Sequence, residues 1–355
     1  LACFQHSPRM PVASGCWPLG RLSAARADLQ NQVSETRHGP RRFQETGMAG
    51  RWRARFGQGG HRSTGIDVGA DEVRVVVLSR RGRGADVCVE GLEREPVGLA
   101  GGPEDARWAA VARALAAAVS RLSAAGVRCD ARGVMALHDD EMRTATLDLA
   151  GRGDIEDAAR QAAERISGLA PDSLAFDWRQ EGGAGAGEIE VAVAPLALLE
   201  RRIDVAAQAG VDLTVVDGES AAALRALRYA AQFEPDAQAG PYAALWFHDS
   251  GVHGWRIDGP LAVPVLTLSG AVPGAFSDAL RQRALGAVCC VLVSGDERCI
   301  ARFDTSVAEI GDVLGAVAVS FDCTGWSGQP CPPAGMPGGT AWAVAFGLAL
   351  RGVWE

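Results

Sequence analysis

The chain has 355 residues, 48% of them hydrophobic and 22% charged, and a formal net charge of −8. This length and composition are typical of a soluble protein with two domains and sizeable cores. No run of 18 or more apolar residues occurs, which argues against a membrane-spanning helix. The first twenty residues lack the continuous apolar segment of a secretory signal, so we expect a cytoplasmic protein.

Arginine supplies all 35 basic residues, since the sequence contains no lysine. A phosphate-binding-loop lysine and a Schiff-base lysine are therefore excluded. Residues 1–64 carry ten arginines and three acidic residues, a net charge of +7, whereas the remainder carries 25 arginines and 40 acidic residues, a net charge of −15. The net negative charge of residues 65–355 argues against general nucleic-acid binding.

Nine cysteines are scattered along the chain, none of them in a Cys-x-x-Cys pair and none near a histidine. This spacing predicts no metal centre, and the odd count is a poor basis for a disulfide framework.

Residues 1–47 show no helical or strand periodicity and are rich in arginine, serine, glutamine and proline, and together with residues 48–63 they make up the N-terminal segment 1–63. We expect either a disordered arm or upstream sequence from a mis-set start, with Met48 as the true start. The basic and aromatic run 51–56 would suit an anionic membrane surface, but a flexible lead-in to the first strand is the favoured interpretation.

The first half of the predicted fold opens on Gly65-Ile66-Asp67-Val68-Gly69. An acidic residue between two glycines predicts a turn whose backbone N–H groups can approach a phosphate, although ordinary tight hairpins share the pattern. Strands are predicted over 65–68, 73–79 and 86–94, then helices over 104–125, 196–209 and 219–232 and a strand over 212–217. Residues 64–132 and 196–233 therefore form the first half.

An inserted unit interrupts this half over residues 133–195. Strands are predicted at 133–137, 142–149, 174–178 and 189–193, with a helix over 154–169. Its glycine-rich segment 182–187 has no lysine and no following helix, so we interpret it as a hairpin loop and not a phosphate cradle.

The second half, residues 242–355, repeats the order of the first after a linker around Pro235 and Pro241. Three strands come first, followed by alternating helices and strands up to a last helix over 340–352. A βββαβαβα unit used twice predicts an α/β protein of the actin-like class, with a small α+β subdomain inserted and a cleft between the halves.

At this point the sequence resembles the PilM family of type IV pilus assembly proteins, which is actin-like and related to the division protein FtsA. The likeness covers about residues 60–352, with a shortened second half. The motifs that carry it are Gly65–Gly69, Leu174–Asp177, Asp217–Ser220, Val291–Gly295 and Val344–Gly352.

The resemblance implies a cytoplasmic scaffold, peripheral to the inner membrane, that binds the N-terminal cytoplasmic tail of a bitopic partner, PilN. In that family the tail lies in a groove between the first subdomain and the inserted one, where an extended peptide can dock by strand pairing. The inserted unit also mediates self-association in relatives.

The resemblance also raises the question of a nucleotide site for ATP and Mg²⁺, but the cofactor stays open because the sequence departs from the family here. Asp249 falls late for the second phosphate loop, and Asp296-Glu297 places acids where a glycine-rich adenosine loop is expected. Extra carboxylates are unfavourable beside a nucleotide unless a metal or an arginine neutralises them. The candidate nucleotide-binding residues are Asp67, Gly69, Asp249, Gly251, Ser294 and Gly295.

Three functions stay open on these grounds. The favoured one is a non-catalytic, actin-like pilus scaffold with no catalytic residue and at most weak ATPase activity. The alternatives are an ATP-dependent phosphotransferase or ATPase of the same fold, and an FtsA-like adaptor for division or a secretion platform.

Single residues also have two interpretations each. Asp67 is either a ligand of metal-bound water near ATP or a turn carboxylate that binds local N–H groups. His248 and His253 are favoured as exposed turn residues over metal ligands. Asp217–Ser220 is favoured as a helix N-cap with an acidic first turn over a hinge loop that faces the cleft.

Overall fold

The structure is a computed structural model. It describes residues 16–18, 61–80, 87–98, 103–129, 132–149, 154–180, 187–270, 274–282, 287–324 and 339–354.

The predicted elements occur in the predicted order. Three further elements were not predicted: the strand Cys16–Pro18 and the short helices Pro235–Ala239, within the predicted linker, and Glu297–Ala301. The strands are Cys16–Pro18 (β1), His61–Val68 (β2), Glu72–Arg80 (β3), Val87–Pro96 (β4), Gly133–Leu137 (β5), Arg143–Asp148 (β6), Leu174–Gln180 (β7), Glu188–Pro195 (β8), Leu213–Gly218 (β9), Tyr242–His248 (β10), Gly251–Asp258 (β11), Leu261–Ser269 (β12), Cys290–Gly295 (β13) and Val317–Ser320 (β14). The α-helices are Glu104–Ala124 (α1), Ile155–Ser167 (α2), Leu196–Gln208 (α3), Glu219–Ala230 (α4), Pro235–Ala239 (α5), Ala275–Gln282 (α6), Glu297–Ala301 (α7), Val307–Leu314 (α8) and Ala343–Trp354 (α9).

The two large sheets share one topology. The first has the order β1-β9-β5-β2-β3-β4, and the second has the order β12-β11-β10-β13-β14. In each sheet, the first three strands along the chain pair antiparallel. A fourth strand (β5 or β13) pairs parallel with the first of these, and a fifth (β9 or β14) pairs parallel with the fourth. The duplicated actin-like α/β fold is therefore confirmed, because order and direction both repeat.

The inserted subdomain is a three-stranded antiparallel sheet, β6-β8-β7, covered by α2. Alternate residues of β8, among them Ile189 and Val191, are fully buried against alanines of α2. This period of two gives the sheet one apolar face. The prediction that the unit begins at residue 133 needs correction, because β5 pairs with β2 and β9 in the first sheet. The inserted sheet begins at β6.

The assignment of residues 1–63 to an arm or a mis-set start stays a prediction, since most of them lie outside the described residues. Two parts are described. Strand β1 pairs antiparallel with β9, and β2 begins at His61, four residues before the predicted strand. No helix in the described ranges is long and apolar enough to cross a membrane.

Helix α9 packs against strands of the first sheet, although it belongs to the second half, and it also packs on α4. Two glycines permit this contact. A Cβ on Gly65 would lie 2.0 Å from the carbonyl oxygen of Ala345, and one on Gly347 would lie 1.9 Å from that of Ala222. Gly65 therefore serves helix packing in the middle of β2, and the prediction that it forms a phosphate-binding turn is wrong.

Candidate functional site

A cleft lies between the halves, where the β2–β3 and β10–β11 hairpin tips meet the β5–β6 turn, the start of α4 and the end of β13. It encloses a cavity of about 240 Å³. The lining residues are Asp67, Gly69, Ala70, Arg74, Arg107, His138, Asp140, Glu219, Trp246, Phe247, His248, Asp249, Ser250, Gly295, Asp296, Cys299, Ala341 and Val344.

Four of the six predicted site residues line this cavity: Asp67, Gly69, Asp249 and Gly295. They come from three strand ends that the duplicated topology brings to one place. This convergence is what the sequence order predicts, because equivalent hairpin tips of the two halves face each other across the cleft. Whether these residues bind a nucleotide stays a prediction.

The other two predicted residues, Gly251 and Ser294, lie beside the cavity and do not line it. A Cβ on Gly251 would lie 2.1 Å from the carbonyl oxygen of Leu268, so this glycine lets β12 pair closely with β11. The buried Ser294 hydroxyl donates to the carbonyl of Leu245 at 3.4 Å. Both residues therefore serve the second sheet.

Arg74 occupies the centre of the cleft and was not among the predicted residues. Its guanidinium lies 3.0 Å from the Asp67 carboxylate, 2.7 Å from Glu72 and 3.7 Å from Asp296. Burial alone would lower the pKa of Arg74, but the neighbouring carboxylates of Asp67 and Glu72 outweigh it and raise that pKa. Asp67 is thus neither a free ligand nor a simple turn carboxylate, because it forms an ion pair with Arg74.

The two hairpin tips also contact each other directly. The backbone N–H of Ala70 donates to Asp249 Oδ2 at 3.4 Å, and Cys299 Sγ donates to the other oxygen of that carboxylate at 3.5 Å. Arg302 donates to the carbonyl of Asp249 at 2.8 Å, and Arg107 donates to that of Gly69 at 3.2 Å. The backbone that would face a phosphate in an open cleft is held here by the protein itself.

A histidine–carboxylate pair closes the first-half side of the cleft. His138 Nδ1 lies 2.7 Å from Glu219 Oε2, and the Asp139 N–H donates to Glu219 Oε1 at 3.2 Å. The hydrogen bond that His138 donates to the Glu219 carboxylate raises the pKa of His138 to about 9. Burial raises the pKa of Glu219, while His138 opposes the shift. We take His138 to be charged at neutral pH, because its partner carboxylate is in direct contact.

An aromatic ladder begins on the second-half side of the cleft, where Trp246 and His248 line the cavity. Trp246 stacks on His248 with ring centroids 4.4 Å apart and on His253 at 5.7 Å, and His253 stacks on Trp255 at 5.9 Å. Both histidines are half-buried, so the favoured interpretation as exposed turn residues is wrong. Burial lowers the pKa of His248 to about 4 and also lowers the pKa of His253, whose Nε2 lies 3.3 Å from Asp139.

Asp217 links helices α4 and α9, a role that the sequence analysis did not predict. Its carboxylate is fully buried and lies 2.9 Å from Arg225 on α4 and 3.8 Å from Arg351 on α9. Burial raises its pKa, and Arg225 opposes this shift. The N-cap of α4 is Gly218 and Glu219 stands in its first turn, so the interpretation of this segment as a helix N-terminus with an acidic first turn fits the structure, although no side chain caps the helix. Glu219 also lines the cleft. Arg351 lies in the second half, so no spacing along the sequence links it to Asp217.

The charges around the cavity are unfavourable for a polyphosphate. Five carboxylates line the cavity together with the cations of Arg74, Arg107 and His138. The carboxylates belong to Asp67, Asp140, Glu219, Asp249 and Asp296. A phosphate oxygen 4 Å from an unpaired carboxylate costs about 4 kcal/mol at an effective dielectric constant of 20. The volume is also below the roughly 300–1,000 Å³ of typical ligand pockets. No group of three or more His, Cys, Asp or Glu in the described part of the chain is arranged to hold a metal.

Comparisons with known proteins support the fold. No family model matches the chain, and no curated protein matches its sequence. Among solved structures, the chain resembles one described as the PilM–PilN type IV pilus biogenesis complex, with a TM-score of 0.55 and 20% identity over 82% of this chain and 98% of that chain. At this identity the likeness establishes a shared fold, which confirms the resemblance to PilM at the level of structure.

Two further likenesses are weaker. One is a Bacteroides thetaiotaomicron protein with an actin-like ATPase fold and unknown function, with a TM-score of 0.44 and 6% identity over 72% of this chain and 90% of that one. The other is the cytoplasmic domain of EpsL, an inner-membrane component of the Vibrio cholerae type II secretion system, with a TM-score of 0.38 and 12% identity over 65% of this chain and 81% of that one.

Proposed function

We propose that this chain is an actin-like scaffold of type IV pilus assembly, held at the cytoplasmic side of the inner membrane by a PilN-like partner. The observation that carries the proposal is the fold shared with the PilM–PilN structure, whose chain is covered over 98% of its length. The likeness takes in 82% of the present chain.

The arrangement of the cleft favours a scaffold over an ATPase. Arg74 already occupies the place between Asp67 and Asp296 where phosphates and their metal would have to enter. Admitting them requires breaking these ion pairs and separating the tips at Ala70 and Asp249. A scaffold needs no such opening, so the ion pairs serve to hold the two halves together.

The partner's tail is proposed to bind between the first sheet and the inserted subdomain. Strand β9 lies towards one edge of the first sheet, and β7 is an edge of the inserted sheet. An extended peptide gains backbone hydrogen bonds from such an edge and side-chain selectivity from alternate pockets. The opposite edge of the inserted sheet, β6, is largely exposed, which supports self-association through this subdomain as part of the same proposal.

The side of β7 that faces the first half can be identified from its neighbours. Ala175 packs in the first-half core, whereas Trp178 packs with the inserted core. Arg179 shares the face of Ala175, because side chains alternate along a strand. It is also close enough to Asp217 to influence that residue's pKa. Arg179 therefore marks the groove side of the inserted sheet.

The test is fluorescence anisotropy of a labelled synthetic tail from the PilN-like protein of the same organism, titrated with the full chain. We expect saturable binding that Arg179→Glu weakens by roughly tenfold or more, about 1.4 kcal/mol. The matched control is Arg160→Glu, on the exposed face of α2 in the same subdomain, which should bind as the wild type does. Absence of tail binding, or equal loss in both variants, would contradict the proposal.

A further inference from the structure

Strand β1 is a segment from far upstream that lies at the edge of the first sheet. Cys16, Trp17 and Pro18 pair antiparallel with Asp217, Val216 and Val215 of β9. The backbone of β1 also contacts β7 of the inserted sheet. It therefore lies between the two edges that the proposed function assigns to the partner's tail.

The pairing of β1 with β9 is short. β1 has three residues, and the next described strand along the chain begins at His61. Proline has no N–H to donate, so Pro18 cannot act as a donor in a ladder, and a strand of three residues forms few hydrogen bonds in any case. Each backbone hydrogen bond contributes only about 0.5–1.5 kcal/mol net, so a longer strand would compete effectively for the same edge.

We propose that Cys16–Pro18 is an internal occupant of the peptide groove, and that the partner's tail binds by displacing it. The inference rests on the proposed function for the identity of the partner, but the occupancy itself follows from the pairing of β1 with β9. The outward backbone groups of β9 can serve one neighbouring strand at a time. A segment of the same chain competes at an effective concentration that dilution does not lower.

The occupant sets a threshold for binding. When the groove is open in only a fraction of molecules, the apparent dissociation constant rises by the inverse of that fraction. If the segment fills the groove in roughly nine of ten molecules, its removal tightens the binding of an added peptide roughly tenfold. The scaffold would then respond to the partner's full tail and discriminate against shorter or poorly matched peptides.

The test uses the full chain with Cys16→Pro and Trp17→Pro together, which removes two backbone donors from β1. The matched control carries Gln30→Pro and Asn31→Pro, two adjacent substitutions outside β1. The probe is a labelled peptide of residues 12–22 with serine in place of its cysteine, followed by anisotropy. We expect it to bind the β1 variant roughly tenfold tighter than the wild type or the control.

Hydrogen exchange provides a second readout that needs no peptide. Alternate amides of β9 point away from β5 and are protected by β1 alone. The segment Leu213–Gly218 should therefore exchange faster in the β1 variant than in the control. Equal exchange together with equal probe affinity in all three proteins would overturn the inference.

The PilN-like tail separates this inference from the proposed function. Competition between the tail and the residue 12–22 probe on the β1 variant supports both. A tail that binds wild type and β1 variant with the same affinity overturns the inference and leaves the proposed function standing. A tail that binds neither, while the probe still prefers the β1 variant, contradicts the proposed function and supports the internal occupancy.

Discussion

Replacement of Arg74 by methionine should destabilise the protein strongly. Methionine keeps much of the length and apolar volume of the arginine side chain but removes its charge. The change leaves Asp67, Glu72 and Asp296 without their shared cation, and Asp67 is only 5% exposed. Removal of one partner from a buried ion pair costs about 3–5 kcal/mol, because the remaining charge is desolvated and unpaired. We expect about 3 kcal/mol, since the Arg74 side chain retains 14% exposure.

Arg298→Met is the matched control for this prediction. Arg298 also lies 3.1 Å from Asp296, but its side chain is 70% exposed. Exposed ion pairs contribute about 0–1 kcal/mol, so the control should lose less than 1 kcal/mol. Urea denaturation followed by tryptophan fluorescence and circular dichroism measures both variants, with the midpoint compared at constant slope. Equal losses in the two variants, or an Arg74→Met loss under 1 kcal/mol, would refute the idea that Arg74 holds the cleft closed.

Three further predictions concern helix packing and the histidines. Gly347→Ala should lower stability by about 3 kcal/mol in thermal denaturation despite its better helix propensity, because its Cβ has no space, whereas Gly187→Ala should be nearly neutral. The His138 imidazole should titrate near pH 9 by NMR, and Glu219→Gln should lower that pKa. Its stabilising contribution, about 2 kcal/mol after allowance for partial exposure, is complete below pH 6.5 and lost as the pH rises through 9. His248 should stay neutral down to about pH 4. Its contribution to folding stability is therefore complete above pH 6.5 and lost as the pH falls through 4. Titration of its ring between pH 6 and 7 would contradict this prediction.

Sequence periodicity was sufficient for the architecture because each half buries its sheets in the same way. The alternation and β-branched composition of segments such as 73–79 and 243–247 identify strands, and the repeated order identifies the duplication. The boundary of the inserted unit could not be found in this way. A fully buried strand such as β5 shows no period that distinguishes a main-sheet strand from one in an insertion.

The candidate site was predicted in position but not in chemistry. Asp67 and Asp249 could be placed at facing hairpin tips because the repeat aligns them. Arg74 escaped attention because it lies within a run of valines, where its side chain looks like an exposed position on an edge. Its role depends on three carboxylates, one of them more than 200 residues away in sequence, and such contacts are formed only by tertiary packing. The same reason applies to Asp217, whose two arginine partners lie on helices from different halves.

The most direct test of the account is titration calorimetry of the full chain with the PilN-like tail peptide, in the absence and presence of Mg-ATP. The account predicts that the peptide binds with the same affinity in both conditions and that Mg-ATP alone gives no binding heat. Tail binding that requires Mg-ATP, or sustained ATP hydrolysis that Asp67→Ala abolishes, would contradict a scaffold whose cleft is closed by its own ion pairs.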